Sequence, residues 1–324
     1  MINSIIKYFT GKEIILYDKH RQTLPLATNL VNKKNYYFFE VGFIWKHIPF
    51  KTSDKRKHKI MYFILNCIQP KYILSMNWQT QRESLYKVWT AKNNKSKFIV
   101  MQHGAYVGGI VTDIPHKYTK CDIFLTWGPF FVEQFTNNNG LKKVKIVNFG
   151  NSIYNLHNRA NYSYKLNTTN KVLLSPTALD SKNSEVLYIL INRLKELNFE
   201  VAVKAHAFQG RTAVGIEFPA FEGVTSVKGQ LYQILQDKEY DFVIADHSSS
   251  LLDAIFFKNK VLYFDPNNNT KAYTTNYSKY LMNLFEKDYK NLTKDDFYGL
   301  LNIEHQEALL ANMVTCGDNE IKWL

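Results

Sequence analysis

No stretch of the sequence approaches the roughly 20 consecutive apolar residues that cross a bilayer, so membrane contact is expected to be peripheral. The opening run Met-Ile-Asn-Ser-Ile-Ile-Lys-Tyr-Phe-Thr meets charge too early to serve as the apolar core of a signal peptide. Cysteine is scarce: Cys67, Cys121 and Cys316 stand far apart, a spacing that suggests neither a disulfide framework nor a thiolate metal site and fits a reducing cytosol. There is no Gly-x-x-x-x-Gly-Lys-Ser/Thr loop, no Gly-x-Ser-x-Gly elbow and no His-x-x-x-His pair. P-loop ATPases, hydrolases of the elbow type and dedicated metal sites therefore lack support. No basic stretch interleaved with aromatics matches a nucleic-acid module, and no repeat of fixed period occurs.

What is present is a chain of 324 residues, 45% apolar and 15% aromatic, with enough hydrophobic material for a core and enough length for two domains. Its formal net charge of +13 favours anionic partners without choosing among them. Short strand-like runs alternate with helical stretches, as in parallel sheets with crossover helices. Strands are expected at 13–17, 36–41, 72–75, 97–101, 122–126, 144–148, 171–174, 199–203, 242–245 and 261–264. The Asn-, Ser-, Tyr- and Lys-rich segment from Gly150 to Asn170 reads as a linker, and residues from about Glu304 to Thr315 as a closing helix stopped near Gly317. The basic run Lys55-Arg56-Lys57-His58-Lys59 suits a lipid phosphate or an acidic glycan, although a solvated loop has the same composition.

The most informative stretch is Phe242-Val-Ile-Ala-Asp-His-Ser-Ser-Ser-Leu-Leu-Asp253, continued to Asp265. It reads as a buried strand delivering Asp246, a serine-capped turn, a helix with Leu251, Leu252, Ile255 and Phe256 on its apolar face, and a second strand. Ser248, Ser249 and Ser250 open that helix, where free backbone N–H groups and the positive dipole end suit an anion, although serine is also an ordinary cap. Lys204 and His206 close another strand, and His103, after Gln102 and before Gly104, closes a third. Imidazoles at such strand ends can move a proton near neutral pH or steady a developing negative charge.

Taken together, Asp246-His-Ser-Ser-Ser-Leu-Leu-Asp253 with the strand ending at Asp265, Lys204-Ala-His206 and Gln102-His-Gly104 resemble the CDP-glycerol glycerophosphotransferase family and the wider group of capsule and surface-carbohydrate GT-B enzymes. Three family details are altered. His247 stands where the family has Tyr, and the Pro after His206 and the Thr-Pro after Gly104 are missing. The resemblance covers roughly residues 70 to 265.

It implies an α/β, GT-B-like fold of two Rossmann-type domains facing a central cleft. An acceptor-side domain would occupy 1–155, a nucleotide-donor domain 156–303, and a last helix in 304–324 would pack back on the first. By the same resemblance His103 acts as general base and His206 steadies the leaving phosphate. Lys204, Asp246, His247, Ser248, Ser249, Ser250, Asp253 and Asp265 line the donor pocket, with Ser175 and Thr177 as weaker phosphate contacts. Gln102, Gly104 and Trp127 fall on the acceptor side. The expected activity is glycosyl transfer from a nucleotide-activated donor, CMP- or CDP-linked, to a growing bacterial surface polysaccharide. A CDP-polyol phosphotransferase and a non-catalytic glycan-binding relative are the alternatives. No tightly bound cofactor or metal is expected, although Asp246, Asp253 and Asp265 are of the type that holds Mg²⁺ beside a nucleotide. The expected partners are the donor, a glycan or lipid-linked glycan acceptor and the inner membrane surface, at its cytoplasmic face, with no nucleic acid.

Overall fold

The computed structural model describes residues 2–18, 35–42, 54–76, 81–102, 104, 121–137, 141–165, 168–176, 181–204, 222–237, 239–246, 248–266 and 277–315. They form two compact units, each on its own parallel sheet. The first takes residues up to His157, Gly104 excepted, and again from Asn312; the second takes chiefly Asn158–Ala311.

In the first unit the order of elements is α1 (Ile2–Thr10), β1 (Glu13–Tyr17), β2 (Tyr36–Glu40), α2 (Asp54–Ile68), β3 (Tyr72–Ser75), α3 (Gln81–Lys92), β4 (Lys97–Met101), β5 (Ile123–Thr126), α4 (Pro129–Thr136) and β6 (Lys145–Asn148). The strands lie in the order β2-β1-β3-β4-β5-β6, every pair parallel. Every residue of β3 and β5 is buried, which is why these strands read as unbroken apolar runs. The edge strand β2 alternates between half-buried and exposed. Ile15, Leu74, Ile99, Met101 and Leu125 form much of one core.

The second unit runs β7 (Lys171–Ser175), α5 (Ser181–Glu196), β8 (Glu200–Val203), β9 (Thr225–Ser226), α6 (Leu231–Gln236), β10 (Phe242–Ala245), α7 (Ser249–Phe256), β11 (Val261–Tyr263), α8 (Lys294–Gly299) and α9 (Ile303–Met313). Its sheet is ordered β11-β10-β7-β8-β9, again all parallel. Helix α5 covers it with Leu187, Leu190, Ile191 and Leu194, the spacing of one helical face. Asn198 then takes φ 62° and lets Phe199 N–H donate back to the Leu194 carbonyl at 3.0 Å, ending the helix and starting β8.

Every expected strand is present, each within a residue of its expected bounds. Strand β9 was not legible, because its two residues are polar and exposed. The basic run at 55–59 lies on the first turns of α2 and not in a loop. Met61 and Leu65, one helical turn apart and fully buried, hold that helix in place while Lys55, Arg56 and Lys59 are exposed and Lys57 and His58 half-buried.

Candidate functional site

In the second unit the chain leaves β7 for β8 on one side and returns to β10 on the other, so the strand order reverses between β7 and β10. Open parallel sheets bind ligands beyond the carboxyl ends of their strands at such a reversal. Ala245 pairs in register with both Ser175 and Tyr263, so Ser175, Asp246 and the Phe264–Asp265 step leave the sheet at one level. Lys204 follows β8 at the same edge, its N–H donating to the Leu174 carbonyl at 2.8 Å.

Helix α7 starts at this edge. Leu251, Leu252, Ala254, Ile255 and Phe256 are fully buried, so almost the whole helix is set in the core, at roughly 1.5–3 kcal/mol for each large side chain. Its first turn is correspondingly fixed. Ser248 is the N-cap, with extended backbone and a hydroxyl that accepts from Ser250 N–H at 3.2 Å. Asp246 Oδ1 accepts from Ser248 N–H at 3.2 Å and closes the turn before the helix. The N–H of Ser249, at the first helical position, has no carbonyl within the helix to donate to. The Ser250 hydroxyl is 6% exposed and has no hydrogen-bond partner among the described residues.

Beneath this turn lie two phenols. Tyr277 is fully buried and donates to the Ser248 carbonyl at 3.2 Å. Its ring meets that of Tyr263 edge-on with centroids 5.9 Å apart, and Tyr263 donates to Asp265 Oδ2 at 3.2 Å. Burial pushes the Tyr277 hydroxyl far above its usual range, reinforced by the charges of Asp253 and Asp246; burial and then Asp265 do the same to Tyr263. Both stay protonated and act as donors. Asp265 is itself fully buried, its backbone exchanging two hydrogen bonds with Asn283 at 2.9 and 3.0 Å. The structure thus brings Asp246, Ser248–Ser250, Asp253 and Asp265 around one helix start, with Ser175 and Lys204 along the same edge. Thr177, His206 and His247 lie outside the described residues. Among the described residues no group of three or more His, Cys, Asp or Glu side chains is placed to hold a metal ion.

In the first unit the strand order reverses between β1 and β3, where Ser75 donates to Asp18 Oδ2 at 2.8 Å and contacts Glu83 Oε1 at 3.4 Å. Strand β4 runs into Gln102, which is 1% exposed and locked to Trp127, 2% exposed, by two hydrogen bonds. Gln102 Oε1 accepts from Trp127 N–H, and Trp127 Nε1 donates to the Gln102 carbonyl, each at 2.9 Å. With both polar ends engaged, these side chains brace the carboxyl ends of β4 and β5. His103 lies outside the described residues. A Cβ at Gly104 would meet nothing within 4 Å among the described residues. Gly128 is different. Its backbone is extended, not left-handed, but a Cβ would collide with the Met313 carbonyl. The residues after Trp127 therefore need glycine for close approach of the returning chain, which Thr315 pins by donating to the Trp127 carbonyl at 2.7 Å.

Tyr263, Tyr277 and Asn283 went unnoticed in the sequence. Tyr263 sits two residues before Asp265, a spacing that puts two side chains on one side of an extended chain, and that was a usable signal. Tyr277 lies in a polar stretch without periodicity and gave none.

No family model and no curated protein matches this chain in sequence. Solved structures do match in fold. One is an H444N variant of the wall teichoic acid polymerase TagF, at 14% identity and TM-score 0.55, over 94% of this chain and 84% of that one. The fold is GT-B-like. MurG of Acinetobacter baumannii matches over 93% of this chain and 94% of its own, at 10% identity and TM-score 0.50. A Staphylococcus aureus MnaA structure with UDP matches over 95% and 92%, at 10% identity and TM-score 0.51.

Proposed function

We propose that this chain is a transferase that moves a sugar from a nucleotide-activated donor to a hydroxyl of a bacterial surface polysaccharide. The observation that carries the reading is the start of α7. A serine-capped helix, fixed in the core, opens at the strand-order reversal of a parallel sheet, and a buried hydroxyl in its first turn has no partner among the described residues. Backbone N–H groups and the helix dipole there suit a diphosphate.

In this mechanism the acceptor oxygen attacks the anomeric carbon as the bond from that carbon to the nucleotide phosphate breaks. His103 takes the hydroxyl proton, and the electron pair of the broken bond leaves on the phosphate. The start of α7, with Lys204 and His206, steadies that charge. Gln102 and Trp127 serve as positioning residues for His103, which follows Gln102 in the chain. Asp246, His247, Asp253 and Asp265 shape the donor pocket, with Ser175 and Thr177 at its margin. A polyol-phosphate transfer, in which phosphorus is attacked and CMP leaves, is the second reading. It is favoured by the likeness to TagF, one of whose structures is described as soaked with CDPG. The reading puts the chain in the cytoplasm, where it would meet nucleotide donors and a lipid-linked acceptor at the inner membrane. No helix among the described residues is long and apolar enough to cross a membrane.

Thermal denaturation against CMP, CDP, UDP and GDP tests the donor site. A nucleotide at about 100 times its Kd adds about 2.7 kcal/mol of stability and, at roughly 2–4 °C per kcal/mol for a unit of this size, should raise its midpoint by about 5–11 °C. A shift with cytidine nucleotides alone would name the donor class; no shift with any nucleotide would overturn the proposal. Turnover tests the chemistry. His103→Ala should lower kcat by about 10²–10⁴ with nucleotide Kd intact, whereas His206→Ala should weaken both. Near-normal turnover in His103→Ala would remove it as the base.

A further inference from the structure

The first unit carries a surface that the proposed chemistry does not use. Helix α1 places Ile2, Ile5, Ile6 and Phe9 on one stripe, the spacing with which a helix normally meets a core. Most of the stripe faces water: Ile2 is 40%, Ile5 52% and Phe9 77% exposed, with Tyr8 beside them at 85% and only Ile6 half-buried. Helix α1 packs on β1 and on α2, which adds exposed Ile60 and Phe63 and the exposed cations Arg56 and Lys59. Contiguous apolar side chains left in solvent mark an interaction surface.

On the Lys7 side of α1 the amino edge of the sheet opens into a cavity of about 730 Å³. Lys7, Lys71, Lys95, Lys97, Lys143 and Lys145 line it, against Glu13 and Asp122. Lys7 reaches it from α1 and pairs with Glu13 at 2.7 Å, and Lys97 lies 3.8 Å from Asp122. Among the described residues no carboxylate lies within ion-pair distance of Lys71, Lys95, Lys143 or Lys145. The cavity is at the opposite end of the strands from Gln102 and Trp127, so it is not part of the candidate acceptor site.

We infer that α1 and this lysine-lined edge form a docking surface for an anionic bilayer. An apolar helix stripe flanked by cations is the arrangement that settles at the boundary between headgroups and acyl chains. Ile2, Ile5 and Phe9 enter the acyl boundary, and the lysines take lipid phosphates. A soluble polyanion would satisfy the lysines and leave the apolar stripe wet. A neutral bilayer would take the stripe and leave an excess of buried cationic charge. An anionic membrane surface satisfies both.

Flotation with lipid vesicles tests this on the full chain and does not depend on the donor site. The protein should bind vesicles of roughly equal parts phosphatidylglycerol and phosphatidylcholine at least about tenfold more tightly than pure phosphatidylcholine, and should be released by high salt. Lys95→Glu with Lys143→Glu should weaken binding by roughly twentyfold or more, from about fivefold for each lysine lost near such a surface. Ile5→Ser with Phe9→Ser should weaken it by about tenfold. All these side chains are exposed, and unchanged circular dichroism and melting would show that both variants fold. Equal binding to the two lipids, or both variants binding like the parent, would overturn the inference. So would light scattering that showed a dimer dispersed by Ile5→Ser with Phe9→Ser, since a second copy would then cover the stripe.

Discussion

The two sheets begin with the same device and finish it differently. In each, an aspartate stands one residue before a strand and binds the backbone of a neighbouring strand's start. Before β10, Asp241 accepts from Thr169 N–H at 2.6 Å, Thr169 Oγ at 2.8 Å, Asn170 N–H at 2.8 Å and Tyr298 hydroxyl at 2.7 Å. Before β5, Asp122 accepts from Phe98 N–H at 2.7 Å and otherwise faces the lysine cavity, its side chain 36% exposed. One edge is sealed by the chain itself. The other is left open, and Lys71, Lys95, Lys143 and Lys145 stand there without a carboxylate in ion-pair distance among the described residues, which is where binding capacity is to be expected.

The sharpest way to break this contrast is to remove each aspartate. Asp241→Ala removes a buried carboxylate that accepts four partly buried hydrogen bonds and should cost about 2–3 kcal/mol, read as a lower urea midpoint for the second unit. Asp122→Ala should cost about 1 kcal/mol or less, because water replaces the missing acceptor. Equal effects would mean that the open edge is as structural as the sealed one.

A second clamp sharpens the same point by pH. Glu307 on α9 accepts from Tyr164 hydroxyl at 2.6 Å and from Arg159 and Lys258 at 2.7 Å each, which ties the segment before β7 to the end of α7. Burial pushes its carboxyl upward, but the bonds from Arg159, Lys258 and Tyr164 outweigh this and hold it at about 2, against 4.5 unperturbed. Because the folded value is depressed, its stabilisation is whole above pH 4.5 and is lost as pH falls toward 2. Allowing for the third of the side chain that water reaches, the effect should be about 1–2 kcal/mol. Glu307→Gln should flatten that part of the stability profile, and an unchanged acid limb would refute the clamp.

Much of this was legible because parallel strands buried on both faces are short apolar runs, and a serine cap before an apolar helix is a local signal. Phe242 to Phe256 could be read as strand, turn and helix because each step depends on neighbours in sequence. The rest was not legible because its causes are distant. Tyr277 reaches Ser248 across 29 positions, and Asp241 binds Thr169 across 72. Gly128 is set by the chain returning at Met313, which nothing near it in sequence announces. The lysine cavity gathers residues from Lys7 to Lys145, none of them remarkable in its own segment.

The central claim is that the start of α7 holds the donor phosphates, and calorimetry of nucleotide binding tests it most directly. Ser248→Gly combined with Ser249→Ala keeps a backbone suited to the N-cap, at a cost of a few tenths of a kcal/mol to the helix, while removing both hydroxyls. The Kd for the nucleotide that stabilises the parent should rise by about tenfold to a hundredfold, the loss of one or two bonds to a charged group. An unchanged Kd in a variant that melts like the parent would take the phosphates away from this helix, and the proposed donor site with them.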